Sequence, residues 1–242
     1  MIHVLLLAGT AEARRLSFLL ADEVRLTTSL AGVTRRPAAY AGQVRTGGFG
    51  GVDGLARFLQ AEQVGALIDA THPFAERMHL NASLAAGRAA IPLLRLERPA
   101  WPVAPNWIET PDLGAAIAAL PPGAVAFLAT GRSSAGALPV RRDLKLVLRA
   151  IEPPEGLPAA ADVILAPPSD DPDQEAALFA RHGITHLVCR NSGGAGQAKL
   201  DAAARLGLPV LMIPRPAPIA RTRTVAEVHA AHAWVRALPS MP

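Results

Sequence analysis

The chain has 242 residues, half of them hydrophobic and 18% charged, which is enough apolar material for a packed core and excludes a disordered chain. Its single cysteine, Cys189, rules out an intrachain disulfide and any cysteine-built zinc or iron–sulfur site, and points to a reducing compartment. The net charge of +4 is carried almost wholly by arginine, Lys145 and Lys199 being the only lysines. With 4% aromatic residues and no basic run longer than two, this favours an acidic small ligand over a nucleic acid.

The first apolar run, 2–8, reads as a strand closed by Gly9 and Thr10, with Thr10 as N-cap of a helix over 11–20. No basic segment precedes the run, so it is not expected to be a secretory signal, and no apolar stretch approaches the ~20 residues of a membrane span. A cytoplasmic protein is expected, with neither a membrane nor a nucleic acid as partner. In an open parallel sheet the turn after this strand lies at the ligand edge, where a helix N-terminus offers N–H groups to a phosphate. Thr10 can touch such an anion and Arg14 lies one turn further in. The full G-x-G-x-x-G pattern is absent, since only Gly9 is present.

The next strand, 24–30, lacks the terminal acidic residue expected against the ribose of NAD. Ser29, followed by Arg35 and Arg36, suits a 2′-phosphate and favours NADP. A glycine-dense turn, Thr46 and Gly47 through Gly51, lets backbone approach a flat ligand before a helix over 52–63.

The strand at 66–70 runs into DATHPFA at 69–75. Pro73 suits the first turn of a helix over 74–89, with Thr71 or His72 near the cap. That puts Asp69, Thr71 and His72 at the ligand edge, where His72 can bind a carboxylate or move a proton. His79, seven residues on, is expected on the same face. No third ligand is evident, so no metal site is expected.

After a strand at 92–96, residues 97–105 carry three prolines in nine and read as a connector; 214–218 form a second one. The chain therefore divides into α/β domains at 1–98 and 106–216. A last helix at 225–238, within 224–242, is expected to return to the first. The second domain shows strands at 125–129, 144–151, 162–166, 186–189 and 209–213 and helices at 113–120, 174–182 and 196–206. Continuous apolar runs alternating with helices argue for parallel, Rossmann-like sheets covered on both faces. Arg132 and Ser133 follow the first of these strands in a turn suited to an anion. Asn191, Ser192 and Gly193 open a glycine-rich loop after the fourth, before a helix carrying Lys199. The order G-x-x-x-x-G-K-S/T of a phosphate loop is not met.

Four segments in order, LLLAGTAEAR at 5–14, DATHPFA at 69–75, LLRLERPAW at 93–101 and VCRNSGGAGQAKLDAAARLGLPVLMIPRP at 188–216, resemble the precorrin-6A reductase family of cobalamin biosynthesis. The resemblance implies two α/β domains facing a cleft and an NADPH-dependent reduction of one macrocycle double bond of precorrin-6A, giving precorrin-6B. It implies cofactor phosphates on the first turn and a polycarboxylate tetrapyrrole held by Arg132, Ser133, Asn191, Ser192, Gly193 and Lys199; the reduction also needs a proton, for which His72 is a candidate donor and water or a substrate carboxyl would serve equally well. The family commonly shows Lys where this chain has Arg190, and the segment 166–171 departs from its glycine–proline–phenylalanine turn. The alternatives are the cobalt-precorrin-6A reductase of the anaerobic route and a non-catalytic two-domain binder of small ligands.

Overall fold

The structure, a computed structural model, describes residues 1–32, 39–158, 161–220 and 222–239. The chain forms two compact units, Met1–Pro99 with Pro216–Pro242, and Ala100–Arg215. In chain order the first builds β1 (His3–Leu7), α1 (Ala11–Leu20), β2 (Arg25–Leu30), β3 (Gln43–Thr46), α2 (Gly51–Ala61), β4 (Ala66–Asp69), α3 (Glu76–Ala89) and β5 (Leu93–Leu96). The second builds β6 (Trp107–Glu109), α4 (Leu113–Ala118), β7 (Val125–Ala129), a 3-10 turn (Arg132–Ala137), β8 (Lys145–Ala150), β9 (Ala161–Leu165), α5 (Pro172–Arg181), β10 (His186–Arg190), α6 (Ala198–Arg205) and β11 (Val210–Ile213). The chain then returns to the first unit with β12 (Arg223–Val225) and α7 (Val228–Arg236).

The first sheet has the order β12-β5-β4-β1-β2-β3 and every pairing is parallel. All five residues of β1 are buried because helices cover both faces of the sheet. Val4 and Leu6 pack with Leu16 and Leu20 of α1 and with Ala231 and Trp234 of α7. The alternate residues, Leu5 and Leu7, pack with Leu55 and Leu59 of α2 and Ala82 and Ala85 of α3. This is the period of two expected of a strand, here apolar on both sides. Each such leucine contributes roughly 1.5–3 kcal/mol by leaving water.

The second sheet, β6-β11-β10-β7-β8-β9, is also wholly parallel. Phe127 and Phe179, with ring centroids 5.0 Å apart, centre a core that includes Leu187, Cys189 and Met212. Three strands were not expected from the sequence: β3, β6 and β12. The expected helix at 225–238 is shortened to Val228–Arg236 because Arg223–Val225 pair with β5 as a sheet edge. In each sheet the order reverses once, between β1 and β4 and between β7 and β10. Ligands of open parallel sheets bind at such reversals, outside the carboxyl ends of the strands.

Candidate functional site

In the first unit the reversal is flanked by the turns after β1 and β4. Gly9 has φ of +138°, a backbone that side chains rarely adopt, and a Cβ added there meets nothing within 4 Å. The turn is therefore open where a ligand would approach. Thr10 caps α1 as expected, its Oγ1 accepting from the Ala13 N–H at 3.1 Å. Its hydroxyl donates to the Ala70 carbonyl at 2.9 Å, which ties the two turns together. With the hydroxyl so engaged, the turn's donors toward an anion are the backbone N–H groups of the first helical turn. Arg14 is exposed on α1. Tyr40, which sequence reading missed, donates from its hydroxyl to the Thr10 carbonyl at 3.3 Å.

The turn after β4 corrects two expectations. Helix α3 begins at Glu76, not at Phe74, because residues 71–75 form a separate turn in which the Ala75 N–H reaches the His72 carbonyl at 2.8 Å. His79 consequently does not share a face with His72, which is exposed, but is buried at 4% exposure. Its Nδ1 lies 2.6 Å from Asp69 Oδ2, and its Nε2 3.1 Å from Arg95 Nη2 and 3.3 Å from the Pro73 carbonyl. Arg95 is in turn ion-paired with Glu97. Asp69 Oδ1 accepts from the Thr71 hydroxyl at 2.7 Å and the Thr71 N–H at 3.1 Å. Burial pushes the Asp69 carboxyl up, but the hydrogen bond and charge of His79 and the two bonds from Thr71 outweigh it and hold it below the ordinary carboxylate range. Asp69 is thus an ionised, buried strut under the turn, with both oxygens engaged by Thr71 and His79. His72 accepts the Phe74 N–H on Nδ1 at 3.3 Å.

Further along the same edge, Ser29 and Arg45 are register partners on β2 and β3. Arg45 Nη1 donates to Ser29 Oγ at 2.7 Å and to the Gly47 carbonyl at 3.0 Å, and Nη2 to the Gly48 carbonyl at 3.2 Å. Ser29 is buried, Thr46 is exposed, and Gly47 has φ of +110° with open space at its Cβ position. Arg35 and Arg36 lie outside the described residues.

In the second unit the turns after β7 and β10 flank the reversal. Ser133 is exposed, and Arg132 donates to Glu152 Oε2 at 3.0 Å. The loop after β10 is built differently from the sequence expectation. The side chain of Asn191 accepts from the Trp101 N–H at 2.8 Å and donates to the Trp101 carbonyl at 3.1 Å. The Trp101 indole donates to the Gly194 carbonyl at 2.9 Å. Lys199, expected to present its charge to a ligand, is 8% exposed; its ammonium donates to the Gly196 carbonyl and lies 4.4 Å over the Trp101 ring. Arg215 donates to the carbonyls of Asn191 at 2.9 Å and Ser192 at 3.0 Å, and Gly193 is buried. Asn191 and Lys199 therefore shape the loop from within. The segment at 166–171 is held by Glu175, whose Oε1 accepts from the Ser169 N–H at 2.8 Å and from Arg149 at 2.6 Å.

Two wholly parallel sheets, each with glycine-bearing turns at a strand-order reversal, define a protein of two Rossmann-like α/β units. The chain belongs to the family described as precorrin-6x reductase CbiJ/CobK, which it matches over residues 3–236; it is thereby an oxidoreductase. It is 46% identical to a precorrin-6A reductase of Rhodococcus erythropolis, over 98% of this chain and 99% of that protein. It is 30% identical to a cobalt-precorrin-6A reductase of Priestia megaterium, over 88% and 90% respectively. A solved structure of CobK precorrin-6A reductase superposes with a TM-score of 0.86 at 40% identity, covering 98% of this chain and 96% of that one.

Proposed function

We propose that the chain reduces one double bond of the precorrin-6A macrocycle with NADPH, giving precorrin-6B in cobalamin biosynthesis. The observation that carries this reading is the near full-length match to reductases of this name, 46% identical in one case. The 30% identity to a relative named for the cobalt substrate favours the metal-free macrocycle.

The residues of the first unit fit a dinucleotide. Gly9 leaves space where a side chain would stand, the α1 N-terminus presents backbone N–H groups, and Thr71 and Thr46 flank that edge. Bound NADPH supplies a hydride. A proton must also reach the neighbouring carbon, and His72 is the side chain assigned to it. Its Nδ1 accepts from Phe74, so in the neutral ring the proton sits on Nε2. In the second unit, Arg132, Ser133 and the backbone of 191–193 take macrocycle carboxylates, with Asn191 and Lys199 holding that loop in shape.

The test is loss of NADPH absorbance on adding precorrin-6A, run beside NADH and beside cobalt-precorrin-6A. Turnover with neither macrocycle overturns the reading, and faster turnover with the cobalt form reassigns the substrate.

A further inference from the structure

Arg45 differs from four other inward-lying arginines in what it pairs with. Arg95, Arg98, Arg132 and Arg149 each meet a carboxylate. Arg45 meets none among the described residues: its three hydrogen bonds go to a serine hydroxyl and two carbonyls. Burial pushes its pKa down.

The side chain is nevertheless held in one orientation. Its guanidinium lies 3.8 Å over the Phe49 ring, and Phe49 is braced edge-on by Phe58 at 5.1 Å between centroids. Of its five N–H groups, three are engaged, which leaves one on Nε and one on Nη2 without a partner among the described residues. These are neighbouring donors on a fixed plane, suited to two oxygens of one anion. Arg45 stands one strand out from β2, in register with Ser29, the position where a dinucleotide-binding sheet meets the adenosine ribose. An NAD site would carry a carboxylate at the end of β2; this edge carries beside it a braced cation that meets no carboxylate among the described residues.

We infer that Arg45, oriented by Ser29 and Phe49, binds the 2′-phosphate of NADPH and is the residue that selects it over NADH. This rests on the proposed NADPH reading and adds to it a residue outside the loop that holds Arg35 and Arg36.

The experiment is calorimetric titration of the whole protein and of Arg45→Gln and Arg45→Lys with two probes, adenosine 2′,5′-bisphosphate and adenosine 5′-monophosphate, alongside NADPH and NADH kinetics. The unaltered protein should bind the bisphosphate more tightly. Arg45→Gln should weaken the bisphosphate by about 10- to 100-fold and leave the monophosphate unchanged, and Arg45→Lys should restore part of the difference. Unchanged bisphosphate affinity in Arg45→Gln overturns the inference while NADPH binding stands. Equal loss of both probes, with no rescue by lysine, overturns it too, since Arg45 then only shapes the 47–48 turn. If the unaltered protein binds neither NADPH nor the bisphosphate, the cofactor reading itself falls.

Discussion

Asp69 and His79 meet at 2.6 Å beneath the turn after β4, both nearly sealed from water. The pair fixes the turn that carries Thr71 and His72, because the second Asp69 oxygen is held by Thr71. Removing one partner strands the other's polar group in the core, which costs roughly 1–3 kcal/mol and more where that group is a charged carboxylate. His79→Ala should therefore lower the unfolding midpoint strongly, and chemical denaturation measures it.

The same carboxylate sets an acid limit. Its pKa in the folded protein lies below its ordinary value, so its contribution to stability is complete above the ordinary value and is lost as pH falls through the folded one. Thermal unfolding between pH 7 and pH 3 should show stability falling at the acid end. Asp69→Asn should start less stable and show a shallower fall. Parallel curves for the two proteins would mean that other carboxylates govern the acid limit.

At the β1 turn, Gly9→Val should leave the fold in place and abolish NADPH binding. An added Cβ meets nothing within 4 Å among the described residues, so the main cost to folding is the backbone strain of φ +138°, roughly 1–3 kcal/mol. It would occupy the space a pyrophosphate needs above the helix N-terminus. Calorimetry reads the affinity and circular dichroism the fold. Retained NADPH affinity would put the phosphates elsewhere.

The two parallel sheets were largely legible in the sequence because a strand covered on both faces is an unbroken apolar run, as in HVLLL and VLMI. The three strands that were not read are edge strands of three or four residues, QVRT, WIE and RTV, with exposed or half-exposed side chains and too little pattern to show a period. Missing β3 hid Arg45, which only its register with Ser29 makes interesting. The turns at the reversals were legible from Gly9, Thr71 and the 191–196 glycines. What their polar side chains do was not, since that depends on partners far along the chain. Asn191 and Lys199 are taken up by Trp101, roughly ninety residues earlier, and Asp69 by a histidine one helix turn inside α3.

Cys189 is fully buried, and burial pushes its thiol up to about 12. Only thiolate reacts, so the folded protein should resist a thiol reagent at pH 8 and react once unfolded. Timed labelling with and without denaturant checks this, and rapid labelling of the native protein would show that the second unit opens readily.

The last prediction sets Arg132 against Glu152. The two are paired at 3.0 Å, so a macrocycle carboxylate seeking Arg132 competes with a carboxylate the protein already supplies. Arg132→Ala should weaken precorrin-6A binding, and Glu152→Gln should strengthen it by removing the competitor. A charge-assisted bond contributes roughly 1.5–3 kcal/mol. Arg132 is about a third exposed, which moves the expected loss toward the lower end, about one decade in Kd. Both effects should shrink at high salt, where exposed pairs are screened. NADPH affinity should be unchanged in both variants, because Arg132 follows β7 of the second unit while Gly9 and Arg45 belong to the first. Substrate titrations of the two variants decide it: opposite signs support competition for Arg132, and equal losses would mean that the ion pair only holds the turn in shape.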